Sequence, residues 1–349
     1  MPSTPLIFDG HNDLLNRELP PTQATVDAFA TGSPGHLDVP RMRAGGFGGG
    51  LFAVYIPSPI DMAGITEEMS QPTYDLPLPA QIDRAEALPQ ALEQMALLVR
   101  LEAAGHLRIC TSVAMIEAAF AAGEIAAVLH MEGAEAIDAD LAALEVFYAA
   151  GLRSLGPVWS RPTIFGHGVP FRFPSTGDTG PGLTDAGIRL AQRCGELGIA
   201  FDLSHATETA FWETADLGLP LIASHSNAHA LCSHSRNLTD RQLRAVGESG
   251  GIVGLNFATA FLRPDGQMDA DCSLDLMVRH LAHMIEQAGE DHVGLGSDFD
   301  GAIVPDPLGD VAGLPALRAA MGEAGFGDAL ITKVCHSNWL ATLRRIWGA

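Results

Sequence analysis

The chain has 349 residues, of which 47% are hydrophobic and 18% are charged. Such a chain can bury a sizeable core, and none of its segments is both long and uncharged enough to span a bilayer, so we expect a globular protein without a membrane partner. Acidic residues outnumber basic ones by 42 to 20, and the net charge of −22 argues against nucleic acid and anionic membrane surfaces as partners.

Cysteine usage and the N-terminus favour a cytoplasmic protein. The cysteines are odd in number and lack C-x-x-C spacing, so neither a disulfide framework nor a zinc knuckle is indicated, and buried free thiols are expected. They are Cys110, Cys194, Cys232, Cys272 and Cys335. Residues 1–5 show no basic region followed by an apolar run of the kind that leads a secreted chain. We therefore expect the protein in the cytoplasm.

Two strands are predicted near the start of the chain. The apolar run 6–8 predicts a strand that finishes in a loop beside His11, and the run 51–56 predicts a second strand closed by Pro57. The glycines of 46–50 precede this second strand, and no G-K-S/T follows them. They therefore favour close backbone packing over a phosphate-binding loop.

Long connections surround the second strand. Segments 14–45 and 60–80 are rich in Pro, Thr and Gly and are predicted as loops that shape a pocket. A long amphipathic helix is predicted over 82–105. Its core-facing stripe is predicted to consist of Leu92, Met95, Leu98, Val99 and Leu101.

From residue 112 onward, helices and strands alternate regularly. The further predicted strands are 125–129, 152–159, 199–205, 221–225, 251–256 and 292–298. The predicted helices are 112–122, 139–150, 184–197, 207–217, 239–249 and 273–288, with the last helices in 314–347. Eight strands separated by helices, without a Rossmann fingerprint, favour a closed barrel over a doubly wound sheet. We predict one α/β domain over 1–349, a (β/α)8 TIM-type barrel with enlarged loops after strands 1, 2 and 4.

Polar residues stand where the predicted strands end, and in such a barrel these ends converge on one face. They are His11 and Asp13 of the first strand, Glu132 of the third, His205 of the fifth, His225 of the sixth and Asp298 of the eighth. Three imidazoles and three carboxylates exceed the needs of one tetrahedral ion and suit two divalent metals that share a ligand. Because the only lysine is Lys333, in a predicted C-terminal helix, the shared ligand should be a carboxylate.

Other histidines leave the assignment of individual ligands open. Several more lie near strand ends or in loops, namely His130, His167, His229, His234 and His292. A histidine flanked by apolar residues is more often a core or capping residue than a ligand. The metal hypothesis therefore rests on six polar residues occupying corresponding positions.

Five motifs resemble the membrane (renal) dipeptidase family of the amidohydrolase superfamily. They are F-D-G-H-N-D, H-M-E-G, D-L-S-H, S-H-S-N-A-H followed by S-R-N-L-T-D, and G-S-D-F-D-G, and they run in family order from residue 8 to residue 301. H-x-D in place of the superfamily's usual H-x-H, and Glu in place of its bridging lysine, make the resemblance specific.

The resemblance implies a ligand set. One metal, normally zinc, would be held by His11, Asp13 and Glu132, and the other by Glu132, His205 and His225. A hydroxide that bridges the two ions would be the nucleophile, since two cations lower the pKa of water toward neutrality. The residues alone admit Zn, Mn or Co at such mixed nitrogen and oxygen sites.

The same resemblance assigns two further roles. Asp298 would hold the attacking water, accept its proton and deliver it to the leaving amine. Arg236, in S-R-N-L-T-D, would bind the C-terminal carboxylate of the substrate through a bidentate, charge-assisted pair. Without the motif, Arg236 would be interpreted as a solvated surface arginine.

One position departs from the family pattern. Family members carry a histidine after the fourth strand, in an L-T-H context, that polarises the scissile carbonyl, whereas Trp159 stands there in this chain. We predict that Trp159 shapes the substrate pocket and that His167, flanked by glycines in the following loop, replaces the histidine. Arg161 is the second candidate for that role.

The resemblance implies a zinc-dependent dipeptidase that cleaves L-Xaa-L-Xaa or L-Xaa-D-Xaa substrates, and we expect it to be a homodimer. Another metal-dependent hydrolase, acting on an N-acyl amino acid, a lactone or a phosphoester, remains an alternative. A barrel that binds a metal or ligand without turnover is a third, although the intact set of six polar tips counts against it. The two long loops carry no readable code for the side chains accepted.

Overall fold

Eight parallel strands follow one another around a barrel in the computed structural model, which describes residues 5–17, 20–58 and 62–348. The strands of the chain are β1 (Ile7–Asn12), β2 (Phe47–Tyr55), β3 (Tyr74–Asp75), β4 (Arg108–Ile109), β5 (Ala126–Glu132), β6 (Leu152–Gly156), β7 (Arg172–Phe173), β8 (Ala200–Phe201), β9 (Ile222–Ala223), β10 (Ile252–Leu255) and β11 (Val293–Leu295). The short β3 and β7 pair with each other outside the barrel, and β4 extends it beside β5.

The helices cover the outside of the barrel and fill the longer connections. They are α1 (Gln23–Thr31), α2 (Val39–Gly45), α3 (Met62–Met69), α4 (Arg84–Ala103), α5 (Val113–Ala122), α6 (Ala142–Ala149), α7 (Asp185–Leu197), α8 (Glu208–Asp216), α9 (Asp240–Glu248), α10 (Thr259–Leu262), α11 (Leu274–Ala288), α12 (Leu314–Glu323), α13 (Asp328–Thr332) and α14 (Asn338–Trp347). Single turns of 3-10 helix occupy 14–16 and 311–313, and a π-helical turn occupies 333–337. Within the described residues, no helix combines the length and apolar character needed to cross a bilayer.

The barrel strands lie in the order β8-β6-β5-β2-β1-β11-β10-β9. The ring closes between its two end strands, where Asp202 and Ile222 form a parallel bridge and the Leu203 N–H donates to the Ile222 carbonyl at 2.8 Å. Because each strand neighbours the next barrel strand along the chain, this is the predicted (β/α)8 barrel, with long connections after the first, second and fourth barrel strands.

Threonine caps begin the helices that follow the middle strands. Thr184, Thr207 and Thr239 each accept a hydrogen bond at the side-chain oxygen from the backbone N–H three residues on, at the start of α7, α8 and α9. Such a cap satisfies one of the helix's free N–H groups and fixes where the helix begins. These helices therefore start within one residue of their predicted boundaries.

The glycine run of 46–50 lies differently from its prediction. Strand β2 starts at Phe47, so Gly48, Gly49 and Gly50 belong to the strand and do not precede it. A Cβ on Gly49 would lie 2.2 Å from the Ala126 carbonyl oxygen, and one on Gly50 would lie 2.6 Å from that of Asp9. Close backbone packing against both neighbouring strands is therefore the reason for glycine here, as expected.

Two segments predicted as loops contain regular structure. Residues 14–45 include α1, which starts at a capping box formed by Thr22 and Thr25, and α2, which is capped by Asp38. Residues 60–80 include α3 and β3. The frequent Pro, Thr and Gly residues of these segments mark caps and turns between short elements, which is why the loop prediction was wrong.

The core-facing stripe predicted for α4 is also wrong in part. Leu92 is 50% exposed and Val99 is 56% exposed, whereas Leu98 is buried as predicted. The helix turns a different face inward because Gln94 is buried there: its amide donates to the Tyr55 carbonyl, and its side-chain oxygen accepts from the Tyr55 N–H at 2.9 Å. A polar side chain that satisfies a strand end thus outweighs part of the apolar stripe.

A roof covers the carboxyl ends of the barrel strands. We use this name for α3, the β3–β7 pair and the segment 258–268, which come from three different connections. They share a hydrophobic cluster separate from the barrel core, which includes Met69, Tyr74, Phe173 and Phe261. The Tyr74 hydroxyl donates to the Gly266 carbonyl at 2.6 Å and ties two of these pieces together.

Candidate active site

The end of β1 places His11 and Asp13 on one side, as the two-residue spacing predicts. His11 Nε2 lies 3.4 Å from Asp13 Oδ2 and 3.7 Å from Glu132 Oε1. The backbone ties this strand end to the loop after β11, because the Asp13 N–H donates to the Phe299 carbonyl at 2.9 Å and the Asp298 N–H donates to the His11 carbonyl at 3.1 Å. Residues far apart in the chain therefore meet at one point.

Glu132, at the end of β5, lies between the polar tips of the first strand and those of the fifth and sixth. Its Oε1 is 2.9 Å from His205 Nε2 and 3.3 Å from His225 Nε2. The two Nε2 atoms are themselves 3.0 Å apart. The structure thus brings all five candidate ligands together, with the candidate bridging carboxylate in the middle.

Asp298 lies on the same face, with a backbone φ of 59° after β11. Its Oδ2 accepts a hydrogen bond from the Asn256 side-chain amide at 2.9 Å. One ligand atom each from His11, Asp13 and Asp298 lie within 4.8 Å of one another, and so do atoms from His11, Glu132 and His225. The position of Asp298 therefore suits a ligand as well as a proton-transfer group.

Burial and charge set the protonation of the site. Burial lowers the pKa of His205 and of His225 well below the ordinary histidine value, so both imidazoles are neutral. Burial, together with the Asp13 carboxylate, raises the pKa of Glu132 and of Asp298. Neutral imidazole and ionised carboxylate are the forms that bind divalent cations, and a cation bound here would lower the raised pKa of both carboxyl groups.

His11 gives the test of whether a metal fits. Both its ring nitrogens are buried and have no hydrogen-bond partner among the described residues. Burial alone would lower the pKa of His11, but the carboxylates of Glu132 and Asp13 outweigh it and raise the pKa to about 10. This negative field favours positive charge at the imidazole, and a buried polar atom without a partner is costly. The donor set therefore fits divalent metal ions.

Arg236 is a buried residue beside the imidazoles, which excludes the surface alternative. Its guanidinium donates to the Ser204 carbonyl and, at 3.2 Å, to the His225 carbonyl, while its Nε has no partner among the described residues. Burial lowers its pKa to about 10, so it keeps its positive charge at neutral pH. Arg236 is not among the residues that line the cavity described next, and its Nη2 lies 3.2 Å from His205 Nε2.

A cavity of about 450 Å³ opens above these residues. Its floor is polar and includes Asp13, Glu132, His205 and Asp298, whereas its walls are largely apolar. The wall residues include Tyr55, Ile65, Trp159, Phe171, Phe261 and Met268. A few polar groups on an apolar-walled cavity of this size are typical of a small-molecule site.

The candidates for the missing histidine separate. Trp159 is in the wall, with its ring centroid 5.2 Å from that of Tyr55 and 5.6 Å from that of Phe171. His167 is half-buried and is not among the residues that line the cavity. Arg161 is buried in an ion pair with Glu135, at 2.7 Å, and donates to other groups as well. The structure therefore brings only Trp159 of these three to the cavity.

Two functional candidates escaped the sequence interpretation. Tyr55 ends β2, pairs in register with Glu132 and lines the cavity, and burial raises the pKa of its hydroxyl above the ordinary value. Asn256 directly follows β10, and its side-chain amide donates to Asp298 Oδ2. Both lie at strand ends, and this position alone indicated that they belong to the site. Tyrosine and asparagine are not typical ligands of a divalent metal with imidazole and carboxylate donors.

A sequence model of the membrane dipeptidases, peptidase family M19, matches residues 2–348. The crystal structure of a metallopeptidase from Rhodobacter sphaeroides, liganded with a phosphinate mimic of the dipeptide L-Ala-D-Ala, is 51% identical and superposes with a TM-score of 0.96 over 99% of this chain and 100% of that one. The dipeptidase AC, a metallopeptidase of family M19, is 52% identical with a TM-score of 0.95 over the same shares. A Klebsiella pneumoniae protein described as uncharacterized, in the pqqA 5′ region, is 50% identical over 258 residues, which are 73% of this chain and 95% of its own length.

Proposed function

The chain belongs to the membrane dipeptidase family, peptidase family M19, and from this premise we propose that it hydrolyses the peptide bond of L-Xaa-L-Xaa and L-Xaa-D-Xaa dipeptides with two zinc ions. The observation that carries the proposal is the meeting of six ligand-type side chains at one cavity, whose floor is lined by four of them, Asp13, Glu132, His205 and Asp298. The 51% identical Rhodobacter sphaeroides metallopeptidase, which binds a mimic of L-Ala-D-Ala, supports a D residue at the C-terminal position.

The proposed ligands divide into two sets around Glu132. His11 and Asp13 would hold one ion with it, and His205 and His225 the other, in agreement with the distances of 2.9 to 3.7 Å between the three imidazole Nε2 atoms and the shared Oε1. Two divalent ions bound there would polarise the scissile carbonyl and lower the pKa of a water molecule toward neutrality. Zinc is our choice among the metals that suit mixed nitrogen and oxygen donors.

Asp298 is the proposed proton carrier. Burial and the nearby Asp13 carboxylate raise its pKa, which brings a carboxyl group closer to the pH at which it can both accept and return a proton. The Asn256 amide holds its Oδ2 at 2.9 Å and so fixes the direction of the carboxylate. We propose that Asp298 takes the proton of the attacking water and passes it to the leaving amine.

Arg236 sets the proposed direction of the substrate. Its buried Nε has no partner among the described residues, so a substrate carboxylate that reached Arg236 would supply an acceptor for this donor. The guanidinium carbon lies 5.4 Å from the Phe261 ring centroid, which places the apolar wall of Phe171 and Phe261 at this end of the cavity. We therefore propose that the C-terminal residue of the dipeptide, of either hand, packs there and that apolar side chains are preferred.

A substrate panel with metal analysis tests the function. We expect about two divalent ions per chain, turnover of dipeptides, and loss of that turnover on chelation, with recovery when zinc is returned. Acyl amino acids, lactones and phosphoesters serve as matched substrates for the rival hydrolase activities. At most one ion per active chain would refute the two-metal mechanism, and bound metal without turnover of any substrate would favour the non-catalytic barrel.

A homodimer in the cytoplasm completes the proposal. Helix α4 leaves Leu92 and Val99 exposed, seven residues apart on one face, and a second copy of the chain would cover them. Light scattering should then give twice the mass of 36.7 kDa for the wild type and the single mass for a Leu92→Glu, Val99→Glu variant. Cell fractionation tests the location.

A further inference from the structure

A single side chain joins β8 to β9, the two strands between which the barrel closes. Strands β8 and β9 have only two residues each, and Asp202 lies where they meet. Its buried carboxylate accepts four hydrogen bonds: from the N–H and hydroxyl of Ser204, at 3.2 and 2.7 Å, and from the N–H and hydroxyl of Ser224, at 2.8 and 2.5 Å. Asp202 thus joins the two strand ends that carry His205 and His225.

The protons in this cluster can be counted. Two N–H groups and two hydroxyls surround the Asp202 carboxylate, which acts as their acceptor, so the Ser224 hydroxyl proton is directed to Asp202. The same hydroxyl oxygen lies 2.8 Å from His225 Nδ1 and, having committed its proton, can only accept there. His225 therefore carries its proton on Nδ1, and its Nε2 is left with a lone pair that faces the Glu132 carboxylate at 3.3 Å.

The groups around Asp202 and Ser224 agree with this direction. The Ser204 hydroxyl donates to Asp202 and accepts from the His225 N–H at 3.0 Å, so it has no second proton for the Ser224 oxygen, which lies 3.1 Å away. His130 Nε2 is 3.7 Å from Asp202, too far for a hydrogen bond, and its Nδ1 pairs with Ser154 at 2.8 Å. The Ser224 hydroxyl is thus the only described side chain that hydrogen-bonds His225 Nδ1.

We infer that Asp202 and Ser224 are positioning residues that fix His225 in its Nδ1-protonated form and so present Nε2 to a divalent metal ion. This inference rests on the proposed function, because it assigns the two residues to one of the proposed metal positions. Neither residue would itself be a ligand of the ion. Partners behind metal-binding histidines typically change metal affinity by about 10- to 100-fold when they are removed.

His205 offers a matched control within the same site. Its Nδ1 lies 2.9 Å from the Ser160 hydroxyl, but no carboxylate of the described chain accepts from Ser160. The Ser160 proton is therefore free to point either way, and Ser160 does not impose a form on its imidazole. Ser160→Ala should leave the protonated nitrogen of His225 unchanged.

For Asp202→Asn we predict a switch of the protonated nitrogen of His225, and not only a loss of its preference for one form. An asparagine amide can donate to the Ser224 oxygen, which frees the Ser224 proton to point at His225 Nδ1 and moves the imidazole proton to Nε2. Ser224→Ala instead removes the constraint and should give a mixture of the two forms. Ser224→Thr keeps a hydroxyl and should restore the wild-type form.

The experiment uses the full chain with 15N-labelled histidine. Nitrogen–proton correlation spectra of chelator-treated protein report which nitrogen of His225 carries the proton, and zinc titration against a chromophoric chelator reports affinity. We expect the Nδ1-protonated form in the wild type and in Ser224→Thr. We expect one zinc ion bound about 10- to 100-fold more weakly in Ser224→Ala and in Asp202→Asn, with the other ion less affected.

Several outcomes would overturn the inference. A wild-type His225 protonated on Nε2 would do so, as would unchanged proton position and zinc affinity in Ser224→Ala. If Asp202→Asn does not fold, the Ser224 pair still decides. If the wild type binds no zinc, the proposed function fails, yet the spectra of the metal-free chain still decide where the His225 proton lies.

Discussion

Replacing Asp298 with asparagine separates proton transfer from folding. Asp298 has a φ of 59°, a left-handed conformation that asparagine tolerates about as well as aspartate, so the backbone should be kept. The asparagine oxygen can still accept from Asn256, as Asp298 does at 2.9 Å. The substitution therefore removes a buried carboxylate and little else, and the free energy of unfolding should change by less than about 1 kcal/mol.

The expected loss of turnover is large. A positioned general acid or base typically contributes about 10²–10⁴ in rate, which is about 3–5 kcal/mol of transition-state stabilisation. We expect kcat of Asp298→Asn on its best dipeptide to fall by that factor while most of the metal stays bound. The assay is steady-state kinetics with elemental analysis of the same sample.

Asp300 supplies a control in the same loop. It also has a left-handed backbone, with a φ of 70°, and it lines the cavity, but its carboxylate pairs with Arg17 and accepts from the His36 N–H. Asp300→Asn should therefore lower stability and keep most of the turnover. Near-native kcat in Asp298→Asn would refute the proton-transfer role, and loss of metal together with turnover would make Asp298 a ligand.

The other predictions concern pH and the missing histidine. Burial lowers the pKa of His280 from 6.5 to about 4, and its ring accepts from the Ala228 N–H at 3.2 Å and donates to the Leu262 carbonyl at 2.9 Å. Between these pH values the unfolded chain binds a proton at His280 that the folded chain does not bind. The free energy of unfolding therefore falls by about 3 kcal/mol as the pH falls from 6.5 to 4. Urea unfolding across that range should show this slope in the wild type and a smaller one in His280→Gln, and equal slopes would contradict the argument. His167→Ala is predicted to lower kcat with little change in metal content, and unchanged kcat and KM would end that hypothesis. Trp159→Phe should mainly alter the relative kcat/KM of dipeptides, because it changes the shape of the cavity wall.

The barrel was predictable because its strands are apolar runs that end in polar residues and glycine. The same rule placed His11 and Glu132 correctly at strand ends and His225 two residues after β9, and the family resemblance expected from the motifs is confirmed. Helices α1 and α2 were missed because their caps lie within Pro-rich and Gly-rich sequence. The orientation of α4 depends on Gln94 meeting the Tyr55 backbone, a contact that periodicity cannot reveal.

The site was predictable only as a set of ligand types. Tyr55 and Asn256 were missed because Tyr55 encloses the cavity and Asn256 orients Asp298. Neither side chain binds metal in the way that imidazole or carboxylate does. Asp202 and Ser224 lie within motifs that were interpreted for their histidines alone. Their contribution depends on which atom each hydroxyl proton reaches, and that requires the distances between side chains on different strands.

The separate hydrophobic cluster of the roof has a consequence for how such an enzyme can diverge. Met69, Phe173 and Phe261 pack with one another and not with the barrel core, so substitutions among them disturb few contacts of the strands that carry the ligands. Sequence drift or insertion in these connections can then change which substrate side chains are accepted, while the catalysed reaction stays the same. Substrate preference and catalytic activity can therefore evolve as two nearly independent traits of a single chain.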